Sequence, residues 1–368
     1  MKFRNNKLEL VYIHVPFCHR KCTYCAFYSH GAPTSHRLIA YVDTLLEEME
    51  RRKGEQAHPI RTVYLGGGTP SILPVEQLAR IVDALRRCFD LSHLEEATLE
   101  ANPEDLTPEY LQGLRNLNFF NRLSIGVQSL DDEMLRLIGR RHTVAQALDA
   151  IERTHEAGIH NISVDFIYGL PKESQFSIFN FQLVTHLSAY VLTVEPGTAL
   201  ARQVQQGRVV LPGEDEVVRQ YHDLCRTFEA QGFVQYEISN FCRPGYHSRH
   251  NSRYWDRTPY LGLGPSAHSF DGHRRQWNTV MEAESGKWKV ENEETLTEAD
   301  AYNELLMTAL RTTRGIPLAM VPDKYQKELH RKMQPYIECG WITVEDNHYR
   351  PTREGLLHAD GMAAELFV

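Results

Sequence analysis

Six short apolar runs, each a candidate strand, alternate with amphipathic helical patterns through the first 200 residues, and this alternation constrains the fold more than any other feature. The runs are Leu10–His14, Thr62–Leu65, Ala97–Glu100, Arg122–Val127, Ile162–Tyr168 and Tyr190–Glu195. Between the first two, Leu38, Tyr41, Val42, Leu45, Leu46 and Met49 recur at helical spacing, with Ser35 as the expected N-cap. Val75, Leu78, Ile81, Val82 and Leu85 form a second such face, and Ala145–Ala157 carries another. Strands alternating with helices imply a parallel sheet with right-handed crossovers. Periodicity leaves open whether that sheet closes toward a barrel. In either case function gathers at the carboxyl ends of the strands, so the polar residues there are the ones to read.

The loop after the first run holds Cys18, Cys22 and Cys25 in C-x3-C-x2-C spacing, with Tyr12, Phe17, Tyr24, Phe27 and Tyr28 around it. Three thiolates so close together can ligate three irons of a [4Fe–4S] cube and leave the fourth iron open. An open coordination position suits chemistry, whereas electron-transfer clusters are closed by four cysteines. A structural zinc site is the alternative, with His14 or His19 as a fourth ligand, although zinc ligands usually come as two separated pairs.

After the second run, Gly66-Gly67-Gly68-Thr69-Pro70 lets backbone N–H groups approach a ligand; a tight turn explains the same glycines. Glu100 closes the third run and Gln128 the fourth, with Arg140 following in LIGRRH. Solvated loop residues and a surface ion pair are the plain readings of Glu100 and Arg140. Asp165 is a carboxylate inside an apolar run, where an unpaired charge is costly, so it should face a cavity or be hydrogen-bonded. Glu195, in LTVEPGT, is a weaker case of the same kind.

The cysteine spacing resembles the signature of radical S-adenosylmethionine (SAM) enzymes. That resemblance implies a partial (β/α)6 barrel, a cluster held by Cys18, Cys22 and Cys25, and SAM chelating the open iron. In the family an electron from the cluster cleaves SAM to a 5′-deoxyadenosyl radical. The resemblance also implies a SAM pocket drawn from Tyr12, Tyr24, Gly67, Gly68, Thr69, Glu100, Gln128, Arg140 and Asp165. In order along the chain, IHVPFC, GGGTPS, EANPEDLT, SIGVQS, DFIYGLP, EPGT and QYEISNF are similar to the branch holding oxygen-independent coproporphyrinogen III oxidase and the haem chaperones. The oxidase pattern has a fourth nearby cysteine and a longer N-terminal extension. Here Ala26 and Phe27 follow Cys25 and only 17 residues precede Cys18, which points to the chaperones. Arg249–Trp255 resembles their HNxxYW motif and implies haem at His250, Tyr254 and Trp255. Imidazole ligates iron and aromatic rings pack on porphyrin. A histidine beside aromatics is otherwise more often a hydrogen-bonded core residue, and Tyr254 and Trp255 can be core as well. The glycine loop Leu261–His268 resembles the family's loop at the SAM pocket, with His268 as a second haem candidate.

Three regions are expected: a radical-SAM core over 1–215, a closing segment with the HNxxYW motif over 216–295, and a winged-helix-like domain over 296–368. Polar residues from Glu282 to Asp300 read as a linker into that last domain. It should contain helices, then strands at Trp341–Val344 and His348–Arg350 joined at Asp346-Asn347, with Thr352 capping a final helix. Winged helices often bind DNA, but from Ala301 onward there are eight Lys and Arg against nine Asp and Glu. A near-neutral module lacks the footprint for phosphate, and the whole chain carries −8, so no nucleic-acid partner is expected. The N-terminal MKFRNNKLEL has no signal-peptide run and no stretch reaches membrane-spanning length. Cys88, Cys225, Cys242 and Cys339 are scattered singly, as expected of small buried residues in a reduced cytoplasm. The function so implied is a haem chaperone that binds the cluster, SAM and haem and hands haem to an acceptor protein, respiratory proteins being candidates. An electron donor is needed if SAM is cleaved, and a homodimer is compatible. The enzymatic alternative is radical decarboxylation of coproporphyrinogen III.

Overall fold

A computed structural model describes residues 8–56, 58–173, 176–282 and 286–368, so most of the N-terminal stretch and part of the expected linker lie outside the described residues. Five parallel pairings join β1 (Leu10–Val15), β2 (Thr62–Gly67), β3 (Glu96–Ala101), β4 (Arg122–Gln128), β5 (Ile162–Tyr168) and β6 (His186–Val191) in chain order. Such near-continuous apolar strands need cover on both faces. It comes from α1 (Ser35–Arg52), α2 (Val75–Cys88), α3 (Pro108–Leu117), α4 (Asp132–Leu137) and α5 (Val144–Glu156), which fill the crossovers. The expected α1 face is the buried one, with Tyr41, Val42, Leu45 and Met49 fully enclosed. The N-cap is Thr34, one residue before the expected Ser35, and its side chain accepts from the Arg37 N–H.

The sixth strand also moves. It begins at His186, four residues before the expected start, and ends at Val191, so Glu195 lies in the loop beyond it. Buried Leu187 and Ala189 supply its inward face, whereas Tyr190 and Val191 are largely exposed. An apolar pair at the exposed tip disguised the true centre of the strand.

Further along come α6 (Ala199–Gln205), α7 (Glu214–Ala230), β7 (Val234–Gln235) and β8 (Asn240–Cys242). These are followed by α8 (Arg249–Trp255), β9 (Tyr260–Leu263), β10 (His268–Phe270), β11 (Arg274–Asn278) and β12 (Val290–Thr295). The twelve-stranded sheet runs β12-β11-β10-β9-β1-β2-β3-β4-β5-β6-β8-β7. β9 joins β1 in parallel, and β10 to β12 extend the sheet antiparallel. The sheet keeps two free edges, as an incomplete barrel must. The polar stretch expected to be a linker therefore contains an edge strand, β12. Its backbone pairs with β11, and an edge position accepts charged side chains that a central strand would not.

The C-terminal module has its own core, built on Tyr302, Leu306, Leu329, Met333, Ile342, Tyr349 and Met362. Helices α9 (Glu298–Ala309), α10 (Asp323–Glu338), α11 (Arg353–Leu357) and α12 (Ala359–Leu366) surround β13 (Ile316–Pro317), β14 (Ile342–Glu345) and β15 (His348–Pro351). The hairpin turn is at Asp346 and Asn347, both with positive φ, as a two-residue turn of this hand requires. Thr352 caps α11 by accepting from the Gly355 N–H. Cys88, Cys225 and Cys242 are buried, but Cys339 is exposed because it ends α10 at the surface. No helix of the described residues is long and apolar enough to cross a membrane.

Candidate functional site

Above the carboxyl ends of the parallel strands lies a cavity of about 500 Å³. The cysteine loop forms one side and the ends of β2 to β6 the other, with Gly67, Glu100, Ser124, Asp165 and Ser188 contributed by successive strands. Cys18, Cys22 and Cys25 all line it, each partly exposed. Thr69 donates its hydroxyl to the Cys18 sulfur at 3.4 Å, and Arg140 Nη1 approaches the Cys22 sulfur at 3.5 Å. Burial pushes the Cys18 and Cys25 thiols up, so a bound cation is what would hold them as thiolates. Among the described residues, no three His, Cys, Asp or Glu side chains converge tightly enough for a single metal ion. Three separated thiols around one cavity, with N–H and O–H donors aimed at two of the sulfurs, fit a polynuclear cluster bound through one iron per thiol.

The opposite wall is polar and buried. Glu100 accepts from the Tyr64 hydroxyl at 2.7 Å and from the Gly67 N–H at 3.1 Å. Burial raises its carboxyl to about 7, against the lowering effect of the Tyr64 bond. Asp165 accepts from Ser124 Oγ at 3.3 Å, and burial raises its carboxyl too. Arg122, 2% exposed, lies in the same wall, and its charge favours both carboxylates. Arg140 Nη2 donates to Asn102 Oδ1 at 2.6 Å and to the Gly126 carbonyl at 2.7 Å, which fixes the guanidinium beside the cysteine loop. Gln128 has φ +71° at a register shift in β4; this bulge re-aims its side chain at the end of the strand.

The structure thus brings together Cys18, Cys22, Tyr24, Cys25, Gly67, Gly68, Thr69, Glu100, Gln128, Arg140, Asp165 and also Glu195 in one cavity wall. Arg122, Asn102, Ser124, Ser188 and Asn251 belong there as well and escaped sequence reasoning. Arg122 carried the signal that exposed Asp165, a charge at the edge of an apolar run, but its place as the first residue of β4 made it look like a strand boundary.

Tyr12 is not in this cavity. Its strand, β1, lies beside β9, and Tyr12 faces a second cavity of about 690 Å³ on that side. The two cavities share Phe27, Gly67 and Glu100. Tyr254 and Trp255 line the larger one, as do Ser266, Ala267 and His268. The glycine loop expected at the SAM pocket is therefore placed along the larger cavity, because β9 flanks the outer edge of β1 rather than the cysteine loop. His250 lines neither cavity. It has no exposed surface; Nδ1 pairs with Thr62 Oγ1 at 2.7 Å and Nε2 with the Tyr254 hydroxyl at 3.0 Å. Burial pushes its pKa down to about 3, so the ring is neutral. To ligate iron it would have to give up one of those partners.

The radical SAM superfamily matches residues 12–178, and the HemN C-terminal domain matches residues 296–358. A curated relative from Bacillus subtilis (strain 168), heme chaperone HemW, is 36% identical, with 95% of this chain and 97% of that protein covered. Heme chaperone HemW of Lactococcus lactis subsp. lactis (strain IL1403) is 34% identical, with 87% of this chain and 86% of that protein covered. Among solved structures, coproporphyrinogen III oxidase (HemN) from Escherichia coli superposes with a TM-score of 0.80 at 22% identity, covering 99% of this chain and 91% of that one.

Proposed function

Because the chain belongs to the radical SAM superfamily, in the branch of the HemW haem chaperones, we propose that it holds a [4Fe–4S] cluster, SAM and haem and passes haem to an acceptor protein. One observation carries the haem part of this reading. Helix α8 sets Tyr254 and Trp255 into the wall of a large cavity, lined in part by aromatic rings, that adjoins the cluster cavity.

Cys18, Cys22 and Cys25 would hold the cluster, leaving one iron for SAM. When bound, that cluster supplies one electron at a time. The chain's own residues do the rest. Gly67 and Gly68 bring backbone N–H groups to the ligand with no Cβ in the way; a Cβ on Gly68 would meet the Phe17 carbonyl oxygen at 2.5 Å. Glu100, with Gly67 beside it, offers a carboxylate to the amino group of SAM. Arg140 supplies a fixed cation beside the Cys22 sulfur, which would accept a carboxylate from SAM. Asp165 and Gln128 remain for the ribose and base. Tyr12 lines the second cavity beside Gly67 and Glu100, which both cavities share.

Tyr254 and Trp255 would pack on the porphyrin, and His250 holds the Tyr254 hydroxyl in place. We place this activity in the cytoplasm, where single scattered cysteines stay reduced. The oxidase reading keeps one supporting observation, the likeness of the whole fold to HemN, but the cysteine loop has no fourth cysteine.

Transfer is tested by mixing haem-loaded protein with a haem-depleted b-type cytochrome and following the acceptor's reduced spectrum. Delivery at least tenfold faster than from haem–albumin supports the reading. Delivery no faster than from haem–albumin removes it.

A further inference from the structure

We infer that the cavity between the mouth of the barrel and the C-terminal module seats the porphyrin, with His268 meeting the iron and Arg257 and Arg275 holding the propionates. This deepens the haem-binding reading and rests on it.

The first observation concerns imidazoles. His14 and His268 line the cavity, and His250 lies behind Tyr254 in its wall. His14 is occupied at both nitrogens, Nδ1 with the Tyr12 hydroxyl and Nε2 with the Tyr28 carbonyl, each at 3.0 Å. His250 is occupied at both and fully enclosed. His268, at the start of β10, is exposed to the cavity and, among the described residues, neither ring nitrogen has a hydrogen-bond partner. Its ring stacks on Trp277 of the neighbouring strand, centroids 5.5 Å apart and planes at 19°. That contact orients the imidazole without using a nitrogen. Burial also lowers its pKa, which favours the neutral form that binds iron.

The second observation concerns cations. Arg257 and Arg275 both approach the ring of Phe270, at 5.6 and 5.8 Å, and both line the cavity. They share one carboxylate of the C-terminal module: Glu304 lies 2.7 Å from Arg275 Nη2 and 3.1 Å from Arg257 Nη2. Arg257 Nε is buried with no partner. Two planar guanidiniums at one end of an aromatic chamber match the two carboxylates at one edge of haem, since each can take a carboxylate through paired N–H bonds. The volume of about 690 Å³ is within the range of cofactor sites, and Phe27, Tyr254 and Trp255 supply apolar surface for the macrocycle. Incoming propionates compete with Glu304 and, at Arg275 Nη1, with Glu294 of β12, so filling the cavity exchanges the contact that ties α9 to the strands.

The test titrates the reconstituted full chain anaerobically with ferric haem and, separately, with haem dimethyl ester, which lacks the free carboxylates. Wild type should bind haem saturably and the ester at least tenfold more weakly. Arg257→Ala/Arg275→Ala should erase that difference, and Glu304→Gln should tighten haem. His268→Ala should lose the histidine-ligated Soret band and regain it with added imidazole. Equal affinity for haem and its ester would overturn the propionate assignment, and needs no variant to fold. An unchanged Soret band in His268→Ala would overturn the iron assignment and leave the chaperone reading intact. No saturable haem binding by wild type would remove that reading itself.

Discussion

Arg122 is the residue on which the polar interior turns. It is among the largest fully buried side chains, and its charge favours the ionised forms of Glu100 and Asp165. Removing one member of a buried charge set leaves the others uncompensated, so Arg122→Met should destabilise the protein by about 3–5 kcal/mol, measured by denaturant unfolding at neutral pH. The same wall sets a pH dependence. Glu100 titrates near 4.5 in an unfolded chain and about 7 in the folded one, so folding takes up a proton between those values. Its contribution is full below 4.5 and is lost as pH rises through about 7, a change of about 3 kcal/mol. Glu237, also raised to about 7 by burial, adds a second loss of the same sign. Glu100→Gln should therefore flatten, without abolishing, the fall in stability of the cluster-free protein between pH 5 and 8 (roughly the window of both groups). An unchanged slope would contradict the burial argument. Asp165 could be read from the chain because a carboxylate within ISVDFIY has no business in an apolar strand. Arg122 could not, since its long side chain starts at a strand boundary and reaches inward. His250 was left between ligand and core residue; the structure shows a buried ring with both nitrogens paired, which only the positions of Thr62 and Tyr254 reveal.

At the scale of elements, the turn after β2 is the most exacting. Gly67 has φ +110°, in the left-handed half of backbone space, and Gly68 passes against the backbone of Phe17. Gly68→Ala must push that turn or the cysteine loop aside, because the obstacle is a backbone carbonyl and not a flexible side chain. It should weaken SAM binding by at least tenfold, read by equilibrium dialysis of the reconstituted protein, with the far-ultraviolet circular dichroism unchanged. The alternation of strands and helices was legible because each crossover repeats one period change. Boundaries were less so. The α1 cap fell at Thr34 rather than Ser35, where either hydroxyl satisfies the local rule. The edge strand β12 was hidden in a polar run because its backbone, not its side chains, holds it to β11.

For the whole molecule, the joint between the barrel side and the C-terminal module adds charge pairs and an arginine–tryptophan contact to the apolar packing of Ile238 and Leu357 and to backbone bonds at Ile238 and Thr313. Arg257 and Arg275 meet Glu304, Arg314 meets Asp256, and Arg311 lies 5.5 Å from the Trp255 ring centroid. Each contact involves α8, the turn after it or the strands beside it, so the segment bearing Tyr254 and Trp255 is held between the two parts. Partly exposed charge pairs weaken with salt. Limited proteolysis between the parts should accelerate from 0.1 to 1 M salt (about 10 to 3 Å of screening length), and bound haem should change that rate if its carboxylates displace Glu304. An apolar joint would show neither effect. This arrangement was not legible in the chain, where residues 255–314 show only scattered charge; contact between the parts is a property of the assembled fold. On the proposed reading, the chain carries haem and leaves porphyrinogen unoxidised. The most direct measurement gives one anaerobic, cluster-reconstituted preparation coproporphyrinogen III with SAM and a reductant, and analyses the porphyrins by fluorescence after chromatography. Coproporphyrinogen III should be recovered unchanged from a preparation that binds haem saturably. Formation of protoporphyrinogen IX at many turnovers per chain would contradict it.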